Sequence, residues 1–272
     1  MKPTLSLALP SFGAEPPDGG WRTIVDMARA AEEAGADRLV VSDHVVLGPN
    51  VDDYPWGRFP TGSDGHWLEP LTVLTAIAAV TTHVRLATGI LIAPLRPAPV
   101  LAKTVATLDH LSGGRVDLGV GTGWQREEYE AAGVDFDRRG ELLTETMTTC
   151  RALWEGRIPD VWCEPKPLQP RLPVWFSGTL TPRNVRRIVH LGDGWIPITG
   201  ATPDDVALGI SRLRGEFENA GRDPATLQVQ GSARTADAVP ALAEAGVTTI
   251  NMFLRLTALG ELVTAYRRAL ER

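Results

Sequence analysis

Residues 107–124 read Thr-Leu-Asp-His-Leu-Ser-Gly-Gly-Arg-Val-Asp-Leu-Gly-Val-Gly-Thr-Gly-Trp. The stretch predicts a helix that stops at Gly113-Gly114, then a short apolar strand from Val116 to Val120. A turn of small residues follows, Gly121-Thr122-Gly123. Backbone so poor in side chains lets a flat ligand approach closely. Helix, glycine stop, apolar strand and open turn make one unit of an alternating chain, and the same order recurs on both sides.

Upstream, Leu5 to Leu9 is an apolar run. Trp21, Ile24, Val25, Ala28 and Ala31 recur at helical spacing, with Gly35 as the stop. A second strand, Leu39 to Val41, ends in Ser42-Asp43-His44. A helix around 71–80 precedes a third strand, Val84 to Thr88, and Pro97 and Pro99 introduce the helix that closes at Gly113. Downstream, a helix carries Leu143, Met147, Cys150 and Trp154. Strands follow at Val174–Ser177, Gly194–Ile198, Leu227–Gly231 and Thr249–Phe253, and a last amphipathic helix carries Leu259, Leu262, Val263, Tyr266 and Leu270. Eight strands alternating with helices require parallel neighbours and crossover connections. The prediction is an α/β chain closed as a (β/α)8 TIM barrel, one domain over residues 1–272.

Composition narrows the function. A hydrophobic content of 43% supplies a large core, and a net charge of −6 argues against nucleic acid as a partner. Cys150 and Cys163 fit no metal spacing, no histidines stand as HxxxH or HExxH, and no metal is expected. The N-terminus shows no long apolar signal segment, and no apolar run approaches the ~20 residues of a membrane span. The expectation is a soluble cytoplasmic protein with no membrane partner.

Two connections exceed plain turns. Residues 45–67 hold Tyr54, Trp56, Phe59, His66 and Trp67; residues 157–172 hold Pro159, Pro165, Pro167 and Pro170. The first follows strand two and so lies on the C-terminal face, where barrel enzymes place their sites. His44 stands at that mouth, and a neutral imidazole can exchange protons near pH 7. A loop-holding hydrogen bond is its bland alternative. Asp43 either orients His44, contacts a cofactor or bonds local amides. Thr181 and Pro182 suit the start of a helix, whose exposed amides make an anion site, with Arg183, Arg186 and Arg187 adding charge. Gly119 and Gly121 begin a GxGxxG pattern, but residue 124 is Trp124 and no dinucleotide fingerprint results. His83, His110 and His190 read as structural.

Taken together, the Ser42-Asp43-His44 strand end and the Gly121-Thr122-Gly123 turn resemble the luciferase-like monooxygenase superfamily. The likeness is greatest to its branch that uses the deazaflavin coenzyme F420. That resemblance implies a barrel binding the cofactor across its C-terminal face, with His44 near the reactive ring carbon. It also implies a non-proline cis bond at Gly89–Ile90, beside Thr88, behind the ring. Thr122, Gly123 and Trp124 would flank the ring or ribityl chain, with Asp43 as a further cofactor contact. The turn Ser177-Gly178-Thr179-Leu180-Thr181 would hold the cofactor phosphate. Trp124 stands where deazaflavin sugar dehydrogenases place a glutamate, and Glu127 and Glu128 follow without occupying that position. Those enzymes carry a tryptophan four residues after the histidine, where this chain has Gly48, so a sugar-phosphate substrate is not expected. Asp109 and Arg115 match the family pattern as a structural pair at the helix-to-strand turn.

The expected activity is hydride transfer between F420 and a small organic substrate, in a pocket walled by Trp56, Phe59, His66, Trp67 and Trp124. A separate reductase would supply reduced cofactor, and relatives often form dimers through barrel helices, which makes a homodimer an implied assembly. An FMNH2-dependent two-component monooxygenase is the alternative on the same fold, and a non-catalytic flavin-binding barrel is the alternative of another class.

Overall fold

The computed structural model describes residues 2–254 and 258–271. In chain order the strands are β1 (Thr4–Ala8), β2 (Phe12–Gly13), β3 (Arg38–Val41), β4 (His66–Trp67), β5 (Arg85–Thr88), β6 (Leu91–Ile92), β7 (Val116–Gly121), β8 (Val174–Ser177), β9 (Gly194–Ile196), β10 (Gln228–Ser232) and β11 (Thr249–Phe253). The helices are α1 (Thr23–Ala34), α2 (Pro70–Ala78), α3 (Ala98–Ser112), α4 (Arg126–Ala131), α5 (Arg139–Trp154), α6 (Pro182–Leu191), α7 (Pro203–Asn219), α8 (Val239–Glu244) and α9 (Leu259–Ala269).

The large sheet runs β5-β3-β1-β11-β10-β9-β8-β7-β6, every pairing in it is parallel, and β5 also pairs β7, which closes the ring. The predicted TIM barrel is therefore the observed fold. Helices cover the outside because parallel neighbours need crossovers, and the strands are accordingly apolar on both faces. Leu5, Leu39, Leu86, Val116, Val174 and Ile250 are buried in this layer against Ile77, Val105 and Met147 from the helices. The glycine stops act as read: Gly35 ends α1 at φ 92° and Gly113 ends α3 at φ 69°, where a side chain would be strained.

The two long connections lie at opposite ends. Residues 42–67 leave the C-terminal end of β3, and β4 pairs antiparallel with β2, so that Phe12 faces Trp67 and Gly13 faces His66. This two-stranded flap sits at the mouth. Residues 157–172 join α5 to β8 at the N-terminal end. There Gln169 accepts from Arg85, and its own backbone and side-chain N–H groups donate to Asp109. Asp109 and Arg115, expected as a pair, turn out to be separate fasteners. Arg115 donates to Ser112, Thr81, Val84 and Ala78 instead, since those carbonyls and a hydroxyl sit closer to its fork. No helix among the described residues is long and apolar enough to cross a membrane.

Candidate active site at the barrel mouth

The three residues that end β3 point three ways, and each makes a different bond. The Ser42 hydroxyl donates to the Gly89 carbonyl at 3.1 Å. Asp43, buried, accepts from both guanidinium nitrogens of Arg96 at 2.7 and 3.0 Å and from the Ile92 amide at 2.8 Å. Burial pushes the Asp43 carboxyl up while Arg96 pulls it down. Asp43 and Glu69 together hold the Arg96 guanidinium charged. The amide that Asp43 accepts belongs to Ile92, 49 residues along the chain, so Asp43 ties two strand ends rather than capping its own loop, and it makes no hydrogen bond to His44 among the described residues.

His44 is oriented from elsewhere. Its Nδ1 lies 3.0 Å from Oε2 of Glu128, a fully buried carboxylate on α4. Oε1 of the same carboxylate accepts the Val45 amide at 2.6 Å. A neutral imidazole with Nδ1–H facing a carboxylate leaves Nε2 as its free nitrogen. The start of α4 is laced to the segment after His44 at two further points. The Gln125 side chain accepts from the Gly48 amide at 2.9 Å and donates to its carbonyl at 3.2 Å, and Asn50 donates to Glu127. Position 48 has room for glycine only: a Cβ there would stand 2.5 Å from the Glu127 Cβ. A tryptophan four residues after His44 would not fit this packing.

Aromatic rings enclose His44. Phe59, Trp67 and Trp124 meet it edge-on with centroids at 5.3, 4.6 and 6.3 Å, and Tyr54 closes over Phe59 and Trp124 at 5.3 Å each. Phe12 stacks on Trp67 at 4.2 Å. His66 and Trp67 are neighbours on a strand, so their side chains leave opposite faces. Trp67 turns to His44 while His66 stays exposed near Trp21, outside the cluster. Trp56 packs on Tyr54 at the rim, 39% exposed. Of the five expected pocket residues, then, Phe59, Trp67 and Trp124 line the imidazole directly.

The strand ends beside the mouth are tightly packed. Gly89–Ile90 is a cis peptide. Thr88 is buried, and its hydroxyl donates to the Gly119 carbonyl at 2.7 Å, which commits it to the sheet. The Thr122 carbonyl accepts the Tyr129 hydroxyl at 2.5 Å, and Gly123 adopts φ 62° with Ile92 beneath it.

Across the mouth, Thr181 caps α6 by accepting from the Asn184 amide, with Pro182 in the first turn. The Asn184 amide group ties the turn by donating to Ser177 and Thr179 carbonyls. The Gly178 and Thr181 amides are spent on Ile196 and Thr179. Those of Thr179 and Leu180 have no acceptor among the described residues. Of the three arginines, Arg187 is buried against α5, where its Nε donates to Thr144 at 2.8 Å. Burial, then repulsion from Arg183 and Arg186, pushes it down to about 10. Arg183 and Arg186 are exposed.

Sequence reasoning singled out His44 but missed its carboxylate partner Glu128, the Gln125 side chain that fastens Gly48, and the Arg96 partner of Asp43. The only signal for Glu128 is an acid pair, Glu127-Glu128, directly after the small-residue turn, and it does not say which of the two turns inward.

Comparison with known proteins converges on this architecture. A sequence profile of the luciferase-like monooxygenase family matches residues 4–258. An uncharacterized protein of Mycobacterium tuberculosis is 38% identical over 216 residues, 72% of this chain and 74% of that one. Among solved structures, an F420-dependent secondary alcohol dehydrogenase in complex with an F420-acetone adduct superposes with a TM-score of 0.76. It is 18% identical, over 98% of this chain and 100% of that one. A monooxygenase from Streptomyces bottropensis gives 0.76 at 19% identity, over 98% of each chain.

Proposed function

The chain belongs to the luciferase-like monooxygenase family, and we propose that within it the protein is an oxidoreductase that moves a hydride between a deazaflavin of the F420 type and a small organic substrate. The observation that carries this reading is His44 at the barrel mouth, its Nδ1 held by buried Glu128 and its other nitrogen left to the aromatic enclosure. A histidine held in one orientation beside an apolar pocket is equipped to give or take a proton.

The residues present suit a cofactor with an anionic tail. The unspent amides of Thr179 and Leu180, the start of α6 and the exposed Arg183 and Arg186 gather positive potential at one turn. When bound, the deazaflavin supplies or accepts the hydride. His44 carries the proton that the substrate gains or loses, Glu128 fixes its tautomer, and the rings of Phe59 and Trp67 exclude water from it. The alcohol dehydrogenase with the same fold supports the deazaflavin. The monooxygenase with the same fold supports the second reading, an FMNH2-dependent monooxygenase served by a separate reductase. A non-catalytic flavin-binding barrel is disfavoured by the buried carboxylate spent on orienting His44.

Equilibrium titration with F420, FMN and FMNH2 tests the choice. F420 is expected to bind more tightly than either flavin at low salt. Micromolar binding of FMNH2 with no detectable F420 binding overturns the deazaflavin reading. In the same assay His44→Ala should keep cofactor affinity within about tenfold while turnover falls roughly 10²–10⁴-fold.

A further inference from the structure

We infer that Arg38 and Trp175 build a binding site for a chloride-sized monovalent anion inside the barrel, at the end of the strands opposite His44. The site is separate from the mouth and does not depend on the reaction proposed there.

Its placement follows from alternation along the strands. Leu39 on β3, Leu118 on β7, Phe176 on β8 and Val229 on β10 belong to the core shared with the helices. Their neighbours Arg38, Asp117, Trp175 and Gln230 turn the other way, into the barrel, and all four are buried. They meet there. Cζ of Arg38 lies 4.6 Å from the centre of the Trp175 ring, and Nη2 of Arg38 donates to the Gln230 side-chain oxygen.

Three nitrogens of this group lack a partner. Nε and Nη1 of Arg38 and Nε1 of Trp175 are buried with no acceptor among the described residues. Buried polar groups are almost always hydrogen-bonded, because an unmet N–H forfeits its hydration without compensation. All three nitrogens are donors, so what the group lacks is an acceptor.

Charge points the same way. The Asp117 carboxylate stands 3.8 Å from Nη1 of Arg38, beyond hydrogen-bond length. It is engaged instead by Nε and Nη2 of Arg85 at 2.9 and 2.6 Å. Burial pushes the Arg38 guanidinium below its ordinary value; Asp117 pulls against this and Arg85 adds to it. An ion resting on the free donors would supply the counter-charge that a buried guanidinium needs. Arg85, half-buried, is the member of the group that reaches solvent, and its charge would draw anions to that end of the barrel.

Water is the competing occupant. Its oxygen would meet a donor, but it brings two hydrogens of its own and leaves the guanidinium charge in place. A phosphate or carboxylate brings several oxygens, each needing donors, to a group that offers three free nitrogens.

The test uses the full-length protein and bromide as the probe for chloride. Crystals grown without halide and soaked in sodium bromide should show an anomalous peak inside the barrel, within hydrogen-bond reach of Arg38. Arg38→Met should abolish that peak. In solution, thermal unfolding is compared in sodium chloride and sodium gluconate at equal ionic strength. Chloride at about ten times its Kd should raise the wild-type Tm roughly 2–4 °C relative to Arg38→Met, which shows only the general effect of each salt. Trp175→Phe, which keeps a ring and removes one donor, should weaken chloride binding about five- to tenfold. Water alone beside Arg38 in the soaked crystals overturns the inference, as does bromide confined to the surface. So does a chloride effect on Tm that is the same in the wild type and Arg38→Met. The wild-type bromide map decides the matter even if neither variant folds.

Discussion

Nδ1 of His44 and Oε2 of Glu128 meet at 3.0 Å across 84 residues of chain, joining the end of β3 to the short helix after β7. The carboxylate is shared with the Val45 amide, so one buried acid fixes both the ring and the backbone that carries it. Hydrogen bonds to an ionised group are roughly twice as strong as neutral ones, which suits a pair that must hold one tautomer.

Glu128→Gln keeps the shape of this contact and removes its charge. Turnover should fall roughly tenfold to 10³-fold, below or at the range of a general acid–base group. Cofactor affinity should stay within about threefold, a change of less than ~1 kcal/mol. A shifted pH profile of kcat, compared with the wild type, identifies the effect as one on His44. A variant with an unmoved profile and unchanged kcat shows that the carboxylate only supports the loop.

Asp43 should behave differently. Asp43→Ala strips Arg96 of its bidentate partner inside the protein and frees the Ile92 amide. Breaking such a pair from one side costs about 3 kcal/mol or more, softened here by Glu69, which still faces Arg96. Urea unfolding should register the loss, and Asp43→Asn should recover part of it. A stable Asp43→Ala with lost cofactor binding would return Asp43 to the role of direct cofactor ligand.

The turn at α6 is best probed through charge. Gly178 sits at φ 114°, so any side chain there strains the backbone before it meets a ligand. Arg183→Glu and Arg186→Glu reverse exposed charges instead. Each should weaken F420 binding severalfold at low salt, and the deficit should shrink as salt screens it. Affinity for the same ring without its phosphate tail should change little. Equal losses for both ligands would place the tail elsewhere.

Glu32 offers a pH-dependent stability test away from the mouth. It accepts the amides of Thr82, His83 and Val84 at 2.8–3.1 Å, fastening α1 to the entry of β5. Burial raises its carboxyl, but these amides outweigh burial and hold it below its ordinary range. A carboxyl depressed in the folded state stabilises above its unfolded value and stops doing so as pH falls through the folded one. Glu32→Gln should therefore cost about 1–3 kcal/mol at pH 7, with the gap from wild type closing below about pH 4. A gap that is constant from pH 7 to pH 3 would assign the loss to packing.

The barrel was legible because its signals are local and repeated: apolar runs such as Val116–Val120, helical spacing in α1, and glycine stops at Gly35 and Gly113. His44 was legible because a polar residue ending an apolar strand lies at the mouth. Its partner was not, because Glu127 and Glu128 are adjacent acids on a six-residue helix. Nothing in their spacing says which one turns inward; the lacing of residues 45–50 to α4 decides it. Trp67 and His66 were both expected at the pocket, and the two-residue β4 that separates them is too short to be read as a strand. Arg187 looked like a third surface cation until α5 was seen packed over it.

The bonds between residues 45–50 and the start of α4 make the cover of the mouth and the mounting of the imidazole one mechanical part. While Val45, Gly48 and Asn50 stay fastened to Glu128, Gln125 and Glu127, the histidine is aligned and the entrance is roofed. If that segment lifts away from α4, alignment and roof are lost in the same event. In the reaction proposed for this mouth, exchange of reactants and transfer of protons would then fall in sequence rather than in parallel. Tightening the fastening should slow release before it improves chemistry.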